Sequence, residues 1–301
     1  MLCVAVGFLM WSLPWGVPGA QDAAFESTKA AAEKGDAKAE YDLGRCYERG
    51  TGVEKDYAKA VEYVTKSAEQ GYTNAQVLLG SYFGRGLGVR KDPQEAMKWY
   101  GKAAGQGNAM AQYAMGRFYY SGRGVAKDLD EVFKWWRKAA EQDYADAEAA
   151  LGEVYFMPFN DHTNHINYPE AIKWLRKAAA QGQVAAMNNL GLLYEQGLGF
   201  SKPDPREAVN WYRAAAEKGD AKAQANLALY YLEGSTVPRD LSQAYMLLKL
   251  SADQGYIVGT KYLEEYDLAH KMTPKELAEG ERLLDEFRAR TKDNKTMVGV
   301  K

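Results

Sequence analysis

The chain has 301 residues, 47% of them hydrophobic, and its 38 basic side chains are balanced by 40 acidic ones for a formal net charge of −2. No run of Lys or Arg exceeds two residues. This argues against nucleic acid or an anionic membrane as the partner and points to protein.

Residues 2 to 13, Leu-Cys-Val-Ala-Val-Gly-Phe-Leu-Met-Trp-Ser-Leu, form a short apolar run followed by Pro14, Gly16, Pro18 and the small pair Gly19-Ala20. The run is too short to cross a bilayer, and the Pro and Gly after it end a helix. Residues 1–20 therefore read as a signal peptide, although no Lys or Arg precedes Lys29. The expectation is an exported, monomeric chain with no stable membrane span. A cytoplasmic adaptor is the alternative should the apolar start be retained. Cys3 precedes the apolar run, which argues against a lipoprotein. Its removal leaves Cys46 as the only thiol and no intramolecular disulfide.

The next signal is repetition. Leu43-Gly44, Leu79-Gly80, Met115-Gly116, Leu151-Gly152, Leu190-Gly191 and Leu227-Ala228 follow one another at 36, 36, 36, 39 and 37 residues, a period that marks a solenoid of supersecondary units. Such a stack adds length without a second core, so one elongated domain is expected. Glu26 to Lys34 resembles the end of a second helix, so residues 22–34 are read as a capping half-repeat. Six repeats then occupy 35–70, 71–106, 107–142, 143–181, 182–218 and 219–254.

Within a repeat, Ala39, Leu43, Cys46 and Tyr47 share one stripe of an amphipathic helix. The same stripe returns as Ala75, Leu79, Tyr82, Phe83 and as Ala111, Met115, Phe118, Tyr119. Cys46 is therefore read as a buried, inert thiol. A Gly-x-Gly turn follows at Gly50, Gly86, Gly122 and Gly197. It lacks the preceding strand and third glycine of a dinucleotide loop, so it is read as a helix stop. A second helix carries an Ala-Ala pair and the aromatic column Tyr63, Trp99, Trp135, Trp174, Trp211, read as core.

The fourth repeat departs from the pattern. Residues 157–167 replace the Gly-x-Gly turn and bring Asp161, His162 and His165. A His-x-x-His in a polar loop without a fixed fourth donor is read as surface loop, not as a metal site. Past the sixth repeat, residues 255–290 read as a degenerate repeat and a C-terminal capping helix, opened by Thr273-Pro274-Lys275-Glu276. Residues 291–301 read as a flexible tail.

The composite Ala-x-Ala-(Gln/Glu)-x-x-Leu-Gly-x-x-Tyr-x-x-Gly-x-Gly-Val, then Asp, Lys/Glu-Ala, Trp-Tyr and Lys-Ala-Ala-Glu-Gln-Gly, resembles the Sel-one-like repeat, a relative of the tetratricopeptide repeat, over about residues 35 to 254. The resemblance implies an all-α fold, a right-handed α-solenoid of about six stacked helix-turn-helix repeats. It also implies a noncatalytic scaffold or regulator that holds a peptide or protein segment on its concave face. Some cysteine-rich exported members are described as penicillin-binding or β-lactamase-like, which makes a hydrolase the second reading. Those members pair cysteines in each unit, whereas this chain has one cysteine in one unit and no Ser-x-x-Lys.

By the same resemblance, the side of the first helix opposite its buried stripe lines the concave surface. Projection at 100° per residue places eight candidate ligand-binding residues there: Tyr41, Arg45, Asn74, Tyr113, Arg117, Tyr120, Phe156 and Asn188. Amides suit a peptide backbone, arginines its carboxylates and aromatics its apolar side chains. No motif asks for a catalytic residue, a cofactor or a metal.

Overall fold

A computed structural model describes residues 20–157 and 165–298, with side chains from residues 23 to 157 and 165 to 291. The apolar start, with most of the expected signal peptide, lies outside the described residues. So do Asp161 and His162 of the fourth-repeat insertion.

The described residues hold sixteen helices and no strand: α1 (Ala20–Ala32), α2 (Ala37–Arg49), α3 (Tyr57–Glu69), α4 (Thr73–Arg85), α5 (Pro93–Gly105), α6 (Ala109–Ser121), α7 (Leu129–Ala140), α8 (Ala145–Phe156), α9 (Tyr168–Ala180), α10 (Val184–Gln196), α11 (Pro205–Glu217), α12 (Ala221–Glu233), α13 (Leu241–Asp253), α14 (Ile257–Glu265), α15 (Leu268–Lys271) and α16 (Pro274–Val298). Adjacent helices pack in pairs, the arrangement of an α-solenoid, as the period and the all-α pattern predict. The chain forms two compact units, residues 1–135 and 136–301, divided within α7.

In the first unit, α1 packs on α2, and α2 through α6 pack each against the next. Leu43, Ala60, Val64, Ala75, Leu79 and Tyr82 are buried in one cluster, and Ala103, Ala104, Ala111 and Met115 in another. The glycine of each Leu-Gly step is where the two helices of a hairpin touch. A Cβ on Gly80 would meet the Tyr100 ring at 2.9 Å, and one on Gly44 would meet Val64 Cγ2 at 2.6 Å. Removing the side chain lets the backbones approach closely, at the cost of helix propensity. The start of α5 is fixed by a side chain: Asp92 Oδ1 accepts from the backbone N–H of Gln94 (2.9 Å) and Glu95 (3.1 Å), with Pro93 at the first helical position. α2, α4 and α6 end on glycines in the left-handed region, such as Gly86 at φ 76°, whose N–H donates to Tyr82.

A polar ladder links the hairpins. Gln70 Nε2 donates to Glu40 (2.7 Å) and Gln106 Nε2 to Gln76 (2.8 Å), each within one repeat. Gln76 in turn donates to the Ala68 carbonyl of the preceding repeat (3.2 Å). Glu40, Gln76 and Gln112 are buried, so these bonds satisfy atoms whose burial would otherwise be costly.

The second unit repeats the scheme with α8 to α13. Gln181 bonds Glu148 (2.8 Å), Gln254 bonds Gln224 (2.9 Å), and Gln224 bonds the Ala216 carbonyl (3.3 Å). The fifth repeat lacks both partners, with Met187 at the Gln/Glu position and Lys218 at the Gln position. The aromatic residue four after the Leu is tied to the preceding repeat, since Arg137 donates to the Tyr155 hydroxyl and Arg176 to that of Tyr194. The Leu-Gly step is again a contact point: a Cβ on Gly191 would meet Tyr212 at 2.5 Å. The closing helix α16 packs on α13 and opens with a capping box, in which Glu276 accepts from the Thr273 N–H (2.7 Å) and Thr273 Oγ1 from the Glu276 N–H (3.3 Å).

Three details differ from the sequence reading. Cys46 is half-buried, not buried, because it stands at the edge of the first cluster; burial still raises its thiol pKa and keeps it protonated. In the aromatic column Trp99 and Trp174 are buried, whereas Tyr63, Trp135 and Trp211 are half-buried. Lysines cover their outer faces, as with Lys102 Nζ at 3.9 Å from the Trp99 ring and Lys66 at 4.9 Å from Tyr63. Finally, α16 runs on to Val298, through residues expected to form a tail.

Candidate peptide-binding surface

The first unit holds five of the eight candidate residues on α2, α4 and α6, and a sixth, Tyr120, near the end of α6. Tyr41 is half-buried, its ring 5.3 Å from that of Tyr72 and tilted by 58°. Arg45 is engaged with Glu48 on its own helix, Nη1 to Oε2 at 3.1 Å. Asn74 is exposed at the second position of α4. On α6 the Arg117 guanidinium lies 5.9 Å from the Tyr113 ring, and Tyr120 is 39% exposed.

Arg117 and Tyr120 belong to a cleft of about 480 Å³ built by α4, α5 and α6. Its floor is Tyr100, the ring that fills the notch at Gly80 and lies 6.1 Å from Phe118. Burial raises the Tyr100 phenol pKa, while a hydrogen bond with Ser81 and the nearby Arg117 and Arg85 act against the rise. The rim carries Arg85 from the end of α4, Lys91 from the α4–α5 connection, Arg117 from mid-α6 and Arg123 from the turn after α6. Ser81 and Ser121 add hydroxyls, and the lining contains no acid. Such a site can hold a peptide by aromatic contact, hydroxyl hydrogen bonds and charge.

In the second unit the projected face is largely consumed by packing. Phe156 is half-buried at the end of α8. Asn188 is only 4% exposed and accepts from Asn226 Nδ2 at 3.2 Å, so it joins α10 to α12 and does not present its amide to a ligand. Glu195, seven residues on along the same face of α10, accepts from both the Tyr212 hydroxyl (2.9 Å) and that of Tyr230 (2.8 Å). Burial, reinforced by the Glu195 carboxylate, pushes both phenol pKa values well above their ordinary value. A second cavity of about 330 Å³, between α11, α12, α13 and α16, mixes Arg213 and Arg290 with Glu217.

The projection missed Arg85, Lys91, Tyr100 and Arg123. The first, second and last lie at helix ends and turns, and Tyr100 comes from a second helix. A signal was present nonetheless. Residues 70–127 carry eight Lys or Arg against only two acids, Asp92 and Glu95, inside a chain of net charge −2. Local charge, not the length of basic runs, marks this segment.

Among the described residues no group of three or more His, Cys, Asp or Glu could hold a metal ion. None of their helices is long and apolar enough to cross a membrane.

The Sel1 repeat profile matches residues 37–72, 73–108, 109–144, 145–183, 184–220 and 221–256. No curated protein matches the chain. The solved structure of a protective antigen present in uropathogenic Escherichia coli strains, which displays an SLR fold, is 34% identical, with a TM-score of 0.81 over 93% of this chain. This chain spans 60% of the length of that protein. A Sel1 repeat protein from Oxalobacter formigenes is 28% identical, with a TM-score of 0.64, over 76% of this chain and 99% of its own. With six consecutive matches through most of its length, the chain belongs to the Sel1 repeat family.

Proposed function

We propose that this protein is a noncatalytic interaction scaffold or regulator, which holds a peptide or protein segment on the surface formed by α4, α5 and α6 in its first unit. Sel1 repeat proteins are generally protein-interaction scaffolds, which supports the general reading. The observation that carries the specific one is the contrast along the projected face. Asn188 and Glu195 are consumed by contacts inside the second unit, whereas Arg117 and Tyr120 border an open cleft with an aromatic floor. We also propose that the chain is exported, on the strength of the apolar run at residues 2–13 and the small residues after it.

Affinity capture from the native compartment tests the first proposal. Arg117→Ala or Tyr113→Ala is expected to weaken capture while leaving the melting temperature nearly unchanged. Unaltered capture with a large loss of stability would assign those side chains to the fold. Sequencing the amino end of the mature protein tests export, and an intact Met1 on a cytosolic protein would remove it.

A further inference from the structure

We infer that the cleft of α4, α5 and α6 is specific for an acidic segment of its partner, an extended peptide carrying two or more carboxylates. The inference rests on the proposed scaffold function and names the chemistry of the ligand.

Arg85, Lys91, Arg117 and Arg123 are all exposed around one cleft. Among the described residues none of the four is held in an ion pair, although the neighbouring helices α5 and α7 pair lysines with Glu95 and Glu131. The Arg117 guanidinium lies 5.9 Å from the Tyr113 ring centroid, a contact that leaves its charge unneutralised. Of the acids near them in sequence, Asp92 caps α5, Glu95 pairs with Lys98, Asp128 caps α7 and Glu131 pairs with Lys134. Four cations gathered without counter-charge repel one another, and an anionic ligand relieves that repulsion as it binds.

The distribution of the charges selects the ligand. They come from a helix end, two connecting turns and a helix face, so they are spread around the rim and do not converge on one point. A line of separate carboxylates suits that layout better than a single phosphate, which draws several donors onto one group. The aromatic floor of Tyr100 and Phe118 with the hydroxyls of Ser81 and Ser121 suits the apolar and amide parts of a peptide. The rest of the chain is acidic on balance, which disfavours a long polyanion such as nucleic acid.

Fluorescence anisotropy with the full chain provides the test. The probes are a short labelled peptide of alternating Glu and Ala, the same peptide with Gln for Glu, and an oligothymidylate of similar length. The Glu peptide is expected to bind at least about tenfold tighter than the Gln peptide, with affinity falling as salt rises. Arg85→Glu with Arg117→Glu is expected to weaken it by about tenfold or more, with an unchanged melting temperature. Lys91→Glu with Arg123→Glu, on the connecting turns, gives an independent second variant. Equal binding of the Glu and Gln peptides, wild-type binding of the Glu peptide by both double variants, or tighter binding of oligothymidylate overturns the inference. If partner capture depends on Tyr113 but is untouched by the charge reversals, the scaffold reading stands and the acidic ligand falls. If capture ignores both, the surface itself is wrong.

Discussion

Gln181 donates its side-chain amide to the fully buried carboxylate of Glu148 at 2.8 Å, closing the hairpin of α8 and α9. Lys177 Nζ stands 3.7 Å from the other carboxylate oxygen. Burial raises the Glu148 pKa above its ordinary value of 4.5, Gln181 and Lys177 oppose the rise, and Asp143 adds to it. A carboxyl whose folded pKa is raised is most favourable to folding while protonated, so its contribution is lost as pH climbs from about 4.5 through the folded value. Glu148→Gln, the residue used at Gln76, Gln112 and Gln224, is expected to remove that slope and to leave stability at pH 7 unchanged or about 1 kcal/mol higher. Urea unfolding at pH 4.5 and pH 7 checks it. A variant clearly weaker than the wild type at pH 7 would show that Lys177 outweighs the burial cost.

Close helix approach yields a second prediction. Gly191→Ala drives a methyl into the Tyr212 ring, and Gly152→Ala drives one into Leu175 at 2.6 Å. Each is expected to cost about 1–3 kcal/mol by overpacking, despite the better helix propensity of alanine. Ala228, which occupies the same step in the sixth repeat and is fully buried, supplies the control. Ala228→Gly should cost about 1–2 kcal/mol, from helix propensity and the loss of one buried methyl, with no steric clash to relieve. Thermal melts of the three variants decide whether the glycines are steric necessities.

Glu195 offers a third. Removing its carboxylate in Glu195→Ala strands two buried phenols, so a loss of about 2–4 kcal/mol is expected. Tyr212→Phe and Tyr230→Phe, which each leave one donor in place, should cost about 1 kcal/mol apiece. Binding through the first unit should be untouched by all three. A Glu195→Ala protein with wild-type stability and impaired capture would return this residue to the ligand surface.

The fifth repeat invites a restoration. Met187→Gln places an amide at a buried position, and Lys218→Gln supplies the donor that other repeats set against it. Met187→Gln alone should be destabilising by about 1–3 kcal/mol, while the pair should recover about 0.5–1.5 kcal/mol of that as a favourable coupling. Chemical denaturation across the four-member mutant cycle measures the coupling, and its absence would show that the two side chains never meet.

Much of this architecture was legible because it is carried by local pattern. The Leu-Gly spacing locates the first helices, and the Gly-x-Gly turns mark the ends of most of them. The ligand surface was less legible for a geometric reason. Projecting Asn188 and Glu195 at 100° per residue treats α10 as if it stood alone, but their partners Asn226, Tyr212 and Tyr230 arrive from other helices. Conversely, Arg85, Lys91 and Arg123 lie at helix ends and turns where no helical projection applies. The cleft they form depends on α4, α5 and α6 being side by side, a relation no single helix expresses.

The polar ladder has a consequence for how such arrays change length. Because Gln70 meets Glu40, and Gln106 meets Gln76, inside the same hairpin, a whole hairpin inserted or excised carries its matched amide partners with it. The bond that crosses to the preceding hairpin lands on a main-chain carbonyl, as from Gln76 to Ala68, which every residue type supplies. Duplication by complete modules is therefore nearly neutral, whereas a break in mid-hairpin orphans a buried amide, and this asymmetry favours growth in integral steps.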